Sequence, residues 1–453
     1  MKSKLSLVFD LFKSKHVLSL VSNGLNAVIG MTTLSILFRF LSQEDMGNWV
    51  FFLTILLLTD TFRSGFITTA FIKFYSGSED GRKHEIVGST WYIALSITLI
   101  FVILSIPAYF LSTFTKDLSV SLFLRFFSIN YVLSLPFFVS NCVLQGQQRF
   151  DRLLFLNFAN QGSFLTSLLI FIFFSHIDIY IVLYCYLFSN FLSSFLSLIL
   201  GWSHIKKLKY RNKKVTKEIY NFGKFSVGTS LCANLLSSAD ALVIKIFLGP
   251  AVLAIYNAGT KLLQIFEIPL RSMVYTALPD LASAFNSGEK LRMLSVMKKY
   301  IGIITFALLP LSIVIFIFAE SAISLLGGAK YAETEAPNIL RIFVVISLLY
   351  PAERFFAVAL DVVHRPKINL VKVLLMVFVT ILTDWIAIVT TGNIYVVATV
   401  TIFCTLTGLL IGFYSLNRIY QRFSFLNIYV VGYHESIKIL KEKYLKHPGN
   451  LKE

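Results

Sequence analysis

Apolar residues in this chain come in runs of about 20, repeated about twelve times between His16 and Leu416. Each run is as long as a helix must be to cross bilayer hydrocarbon, and no soluble core uses so much apolar length. Hydrocarbon offers the backbone no hydrogen-bond partners, so the runs must fold as helices packed on one another. Charged residues, glycines and prolines punctuate them, placing helices near 14–40, 48–75, 87–112, 119–146, 151–176, 178–203, 219–248, 251–285, 299–320, 336–363, 366–390 and 393–418. The pattern predicts an all-α polytopic membrane protein of about twelve spans. The first run is too long for a cleavable leader and lacks a small-residue cleavage site, so it reads as the first span.

A weak internal repeat organises these spans. Leu41-Ser42-Gln43-Glu44-Asp45-Met46-Gly47-Asn48-Trp49 separates the first two, and about 207 residues later Leu248-Gly249-Pro250-Ala251-Val252-Leu253-Ala254-Ile255-Tyr256 stands in the same place. At that offset Asp60 falls on Glu267, and with a one-residue slip Arg63 falls on Arg271. Farther on, Leu144-Gln145-Gly146-Gln147-Gln148-Arg149 corresponds to Leu360-Asp361-Val362-Val363-His364-Arg365, with Pro136 opposite Pro351. This predicts a six-helix half over 1–203, a basic linker over 204–218, a second half over 219–420 and a basic tail over 421–453. Six is even, so both halves start on one side of the membrane as parallel repeats.

Composition leaves little for anything else. Of 453 residues 56% are hydrophobic, with a mean hydropathy of +0.74, so no segment outside the spans is long enough for a soluble catalytic domain. The net charge of +17 does not point to nucleic acid, because the cations alternate between connections. One side carries Lys2, Lys4, Lys13 and Lys15; Lys73, Arg82 and Lys83; Arg149 and Arg152; seven cations from Lys206 to Lys217; Lys290, Arg292, Lys298 and Lys299; and Arg365 and Lys367. The other carries little beyond Arg39, Lys116 and Lys330. Cations are retained in the cytoplasm, so both termini are expected there. Trp49, Trp91, Trp202 and Trp385 fall near expected helix ends, where indoles favour headgroups, and Cys142, Cys185, Cys232 and Cys404 read as small core residues without metal or redox spacing. The tail around Ile437 to Lys446 suits either an interfacial helix or a solvated segment.

Function then rests on the few charges at membrane depth, which usually face a cavity or a partner. Asp60 with Arg63 and Glu267 with Arg271 are spaced as pairs on one helix face, either mutually neutralised or lining a site. Lys261, Arg354, Lys224 and Arg341 lack an obvious local acid, and an excess of cavity cations favours an anionic substrate group. Arginine's planar fork matches phosphate oxygens, so Arg63, Arg271 and Arg354, with Lys261 and Lys224, are the candidate ligands for a phosphate or pyrophosphate. Lys224 and Lys245, like Arg125 and Lys372, also sit where snorkelling to headgroups is expected. Asp60, Asp240, Glu267 and Glu353 are candidates for ion coupling or for structural pairing, and Pro269 predicts a kink between Glu267 and Arg271. The histidines, among them His16, His176 and His447, fall mostly in connections. No Walker A motif, clustered nucleophile and base, or metal-ligand spacing is present, so no enzyme is expected and energy must come from an ion gradient, the membrane potential or product consumption.

At the Leu41 to Trp49 and Leu248 to Tyr256 turns, at Ser238-Ala239-Asp240 before Leu242 to Gly249, and at the two arginine-ending turns, the chain resembles the polysaccharide-exporter branch of the multidrug/oligosaccharidyl-lipid/polysaccharide (MOP) superfamily, and within it the Wzx-type flippases, over roughly residues 5 to 420. The resemblance implies a MATE-like, V-shaped pair of six-helix lobes with helices one, two, seven and eight around a central cavity. It also implies transfer of an undecaprenyl-pyrophosphate-linked O-antigen, capsule or exopolysaccharide unit across a bacterial cytoplasmic membrane. Expected partners are the lipid-linked oligosaccharide, bilayer lipids, and glycan polymerase and chain-length proteins. No cofactor is expected; coupling to a proton or sodium gradient stays open. The alternatives are an ion-coupled drug or metabolite antiporter of the same superfamily, a membrane glycan polymerase or acyltransferase, and a non-transporting scaffold.

Overall fold

Helices occupy nearly the whole of the computed structural model, which describes residues 15–111, 115, 117–174 and 177–445, with side chains from residue 24 onward except 436 and 438–445. Lys2, Lys4, Lys13, Lys116, His176, His447 and the end of the tail from Lys446 lie outside the described residues, as do the side chains of Lys15 and His16.

The first half comprises α1 (Lys15–Phe40), α2 (Gln43–Tyr75), α3 (Asp80–Leu111), α4 (Leu118–Leu133), α5 (Leu135–Gly146), α6 (Phe150–Phe174) and α7 (Ile179–Ile199), followed by a 3₁₀ turn at Ile205–Tyr210. Then come α8 (Lys213–Leu248), α9 (Pro250–Lys261), α10 (Gln264–Asn286), α11 (Lys290–Ile317), α12 (Ala319–Gly327), α13 (Ala329–Ala332), α14 (Ala336–Ser347), α15 (Tyr350–Val362), α16 (Pro366–Thr391), α17 (Ile394–Ile419) and α18 (Leu426–Leu445). Among the described residues eight helices are long and apolar enough to cross a membrane, or ten if each of two bent pairs is one span. The other two of the twelve expected spans are α1, whose apolar described part is the shorter Gly24–Phe40, and α9 with α10, which carry Lys261, Glu267, Arg271 and Asp280.

The bent pairs make the sequence repeat visible. α4 meets α5 at 46°, and α14 meets α15 at 46°. Pro136 and Pro351 each sit in the first turn after the break, where a missing N–H does no harm. Both second segments end in the same cap. Gln148 and His364 take left-handed φ of 55° and 58°, while the amides of Arg149 and Arg365 reach back 2.9 Å to the carbonyls of Leu144 and Leu360. The eighth expected span breaks at Leu262–Leu263, earlier than the kink expected at Pro269, through short bonds such as Leu263 N to the Thr260 carbonyl at 3.1 Å.

The chain forms two compact units, Met1–Leu235 and Leu236–Glu453, with the boundary inside α8. In the first, Ile67, Phe71, Trp91, Val139 and Val143 form a buried core. The basic connector is docked on this unit. Trp91 Nε1 donates to the Ser203 carbonyl at 2.8 Å, the Asn212 amide donates to Glu85 at 2.9 Å, and Gly88 lets Lys207 approach so closely that a Cβ there would stand 2.5 Å from its carbonyl oxygen. Trp49 and Trp91 are therefore core residues, contrary to the headgroup placement; Trp49 lies edge-on to Tyr186 at 5.3 Å because α2 starts earlier than expected and carries it inside. Trp385 is exposed. Cys142, Cys185 and Cys404 are buried and Cys232 partly so.

In the second unit α18 lies along α11. Gly302 and Gly432 meet backbone to backbone, Lys298 donates to Asn427 at 3.0 Å, and Lys299 pairs with Glu435 at 2.9 Å. The first part of the basic tail is thus a packed helix, held by an approach only two glycines permit.

Candidate functional site

In the first unit Arg63 is only 3% exposed. Its Nε and Nη2 donate to Asp60 Oδ1 at 3.0 and 2.6 Å, Nη1 donates to the Tyr131 carbonyl at 3.1 Å, and Nη2 also reaches Ser134 Oγ at 3.0 Å. The rings of Tyr131 and Phe138 cover the guanidinium at 4.4 and 4.7 Å. Tyr131 is in the last turn of α4, where helix carbonyls lack intrahelical donors, so Arg63 satisfies the open end of the break while Ser194 Oγ donates to the Leu133 carbonyl at 2.5 Å. Four of its five N–H groups are committed, which leaves one for any anion.

Asp60 is 33% exposed, and its Oδ2 has no hydrogen-bond partner among the described residues. It borders a cavity of about 450 Å³ lined also by Asn130, Tyr131, Asn141, Asn160, Tyr186 and Asn190. Asn190 Nδ2 donates to Asn130 Oδ1 at 2.8 Å, and Asn160 Nδ2 donates to Asn190 Oδ1 at 3.1 Å and to Ser193 Oγ at 3.0 Å, joining α4, α6 and α7. The charge pattern of the sequence does not single out these amides. Their signal was three asparagines in apolar helices, where an amide without a partner costs several kcal/mol. Lys224, on the first half of α8, is exposed, its Nζ 5.2 Å from the centre of the Phe225 ring.

In the second unit Glu267 and Arg271 pair at 2.6 Å, but here the arginine is 65% exposed. Lys261 is half-buried and Arg354 exposed, and neither has an ion-pair partner among the described residues. Glu353 is engaged by Lys372 at 2.6 Å, with the lysine only 1% exposed. Lys372 therefore does not snorkel: the short turn between α15 and α16 folds it back onto the acid. Lys245 is buried as well, whereas Arg125 is exposed. Arg341 has partners after all, Glu320 at 3.0 Å and Asn338 at 2.6 Å, since α12 returns an acid to it.

Asp240 accepts a hydrogen bond from the Tyr256 hydroxyl and faces Asp384 of α16, which is 0% exposed and has no donor at either oxygen. Two carboxyls side by side in a low-dielectric interior require a shared proton or a cation between them. Asp384 was missed because it stands alone in its apolar run; its signal is that a lone acid at that depth needs a partner, and Asp240 was itself unpaired. Among the described residues no three His, Cys, Asp or Glu side chains converge as a metal site. The oxygen-only set of Asp240, Asp384 and the Tyr256 hydroxyl is a hard donor set, which suits a proton or a hard cation rather than a soft metal.

The fold is similar to that of the lipid II flippase MurJ in an inward closed conformation, with a TM-score of 0.74 and 15% identity over 96% of this chain and 94% of that one. It is also similar to an inward-facing multidrug resistance MATE family transporter of the MOP superfamily, with a TM-score of 0.71 and 13% identity over 92% and 96% of the chains. A MOP superfamily transporter from Pyrococcus furiosus shares the fold at a TM-score of 0.59 and 14% identity over 91% and 94%. No curated protein matches the sequence. The MatE family model matches residues 226–386, and the polysaccharide biosynthesis protein model matches residues 13–285, more than half of the chain. With an all-helical MATE-like fold, the chain belongs to the polysaccharide biosynthesis protein family.

Proposed function

We propose that the protein is a flippase that carries a polyprenyl-pyrophosphate-linked oligosaccharide across the bacterial cytoplasmic membrane by alternating access. The observation that carries this reading is the cavity beside Asp60. Asparagine amides and tyrosine rings are the groups that hydrogen-bond sugar hydroxyls and stack on sugar faces, and here they stand among membrane helices of a polysaccharide biosynthesis family member. Sugars occupy this cavity, and Arg63 acts chiefly by holding Asp60 and the α4–α5 break in place. The proposed pyrophosphate ligands are, on the first unit by itself, the exposed Lys224 and, on the second by itself, Arg354 and Lys261 with Arg271, which Glu267 holds, while the prenyl tail stays in lipid. Asp240 and Asp384 bind the proton or sodium ion that drives the cycle. A relative of similar fold that is a lipid II flippase supports a lipid-linked cargo. Glycan polymerase and chain-length proteins are the proposed partners, and no chemical step is assigned to the chain.

One observation favours a second reading, an ion-coupled drug or metabolite antiporter. The charge that Arg63 leaves open to the cavity is a carboxylate oxygen, which suits a cationic solute. Leaflet-specific measurement of the polyprenyl-linked oligosaccharide separates the two. Cells lacking the protein are expected to accumulate it on the cytoplasmic face, with relief by the wild-type chain but not by Asn190→Ala or Arg271→Ala chains at equal membrane level. Absence of accumulation, with a gain in sensitivity to cationic drugs, establishes the antiporter instead.

A further inference from the structure

A second cavity, of about 680 Å³, opens in the first unit between α2, α3 and the start of α8. Its two ends differ in chemistry. At one end stand Arg211, Lys213 and Lys217; none has an ion-pair partner among the described residues, although Glu218 beside them is held by Arg82 at 2.8 Å and Glu85 is held by Asn212. Toward the other, the walls are aromatic and aliphatic: Phe66 stacked on Tyr220 at 5.7 Å, Phe62 against Phe101 at 5.5 Å, and Ile97 between these levels. From Tyr92 to Phe101 the α3 wall runs about 14 Å.

The cations are not on a loose strand. The connector that carries Arg211 is pinned to α3 through Ser203, Lys207 and Asn212, and the Arg211 guanidinium lies 3.2 Å from the centre of the Tyr92 ring. Alongside the end of the cavity and beyond it α3 presents an exposed apolar face of Leu99, Ile100, Ile103 and Leu104, the surface a spanning helix turns to hydrocarbon. A fixed cluster of unpaired cations at the level of the connector, above an apolar slot that leads into such a face, is complementary to a molecule with an anionic head and a hydrocarbon tail.

We propose that this cavity binds an anionic phospholipid from the leaflet on the connector's side, its phosphate on Arg211, Lys213 and Lys217 and one acyl chain along Phe66, Ile97 and Phe101. The site is separate from the cavity beside Asp60, and the proposal does not depend on the cargo. Headgroup binding here holds the connector, α3 and the start of α8 together.

The test is native mass spectrometry of the purified full chain after equilibration in micelles with equal phosphatidylglycerol and phosphatidylethanolamine. The wild type is expected to retain phosphatidylglycerol preferentially. Arg211→Gln and Lys217→Gln should each reduce that preference about fivefold, the contribution of one basic residue at an anionic surface. Ile97→Trp, which fills the slot, should reduce retention of both lipids, and Lys214→Gln, an exposed neighbour outside the cavity, should change nothing. If Arg211→Gln fails to fold, Lys217→Gln with Ile97→Trp decides. An unchanged preference in Lys217→Gln overturns the proposal, as does an equal fall in Lys214→Gln, which reports general surface charge. Displacement of the lipid by millimolar inorganic phosphate also overturns it, because the cavity is then a phosphate site without a role for the tail.

Discussion

Lys372 of α16 donates to Glu353 of α15 across 2.6 Å, almost wholly removed from solvent. Breaking such a pair by removing one member strands a buried charge and costs about 3–5 kcal/mol, whereas removing both is often nearly neutral. Glu353→Gln alone is therefore expected to lower the amount of folded chain severalfold, and Glu353→Gln with Lys372→Met to recover most of it. Fluorescence-detected size exclusion of detergent extracts checks this; a double variant no better than the single one removes the pairing role.

Asp60 and Arg63 should separate in the same assay. Arg63→Ala strips the donors from the Tyr131 carbonyl and Ser134 and exposes the break between α4 and α5, so it is expected to reduce folded protein. Asp60→Asn keeps an acceptor beside Arg63, whose guanidinium retains the Tyr131 carbonyl, Ser134 and two covering rings, so it should cost less folded protein than Arg63→Ala, while transport at equal membrane level falls at least about tenfold, equivalent to about 1.4 kcal/mol. The reverse ranking, with Arg63→Ala well folded but inactive, returns Arg63 to the role of a direct anion ligand.

The facing carboxyls of Asp240 and Asp384 make a separate prediction. Asp384→Asn should fold, since an amide supplies the donor that two carboxylates lack, but it should abolish the dependence of transport on the proton or sodium gradient. Transport by reconstituted vesicles under imposed gradients of each ion measures this. A gradient dependence unchanged in Asp384→Asn takes the pair out of the coupling.

How much of this was legible beforehand depended on the kind of signal. Span positions were, because apolar length is dictated by the bilayer, and the repeat was, because Pro136 and Pro351 mark matching breaks and Arg149 and Arg365 close matching caps. The partners of buried charges were not. Lys372 looked like a helix-end lysine because its acid comes from another helix, and Arg341 looked unpaired because Glu320 lies 21 residues away. The asparagine network leaves no mark in the charge pattern, although hydrocarbon also penalises an unsatisfied amide.

His204 offers a pH test outside the spans. Burial, with Lys207, His84 and Arg152 nearby, holds its imidazole below the usual value near 6.5. As neutral imidazole it faces the Gln147 amide nitrogen at 3.2 Å. The undocked connector takes up the proton first, so docking is at full strength above about pH 6.5 and weakens as pH falls through that value. Hydrogen exchange over residues 203–212 should quicken between pH 7.5 and 5.5 beyond the intrinsic rate change. His204→Asn, whose side chain tolerates the φ of 48°, should flatten that response.

The docked connector also bears on how the molecule can be taken apart. A run of lysines between two similar halves invites division there, for a split reporter, a circular permutant or an inserted tag, as though the halves were beads on a string. Yet Ser203, Lys207 and Asn212 are fastened to the first half, and the compact units separate farther on, within α8. Cutting between Lys206 and Lys217 would leave the amino-terminal fragment with a bare seat on α3 at Gly88 and Trp91. Among the described residues the connector is a docked part of the first half rather than a free tether, and the amino-terminal fragment of any split must carry it whole.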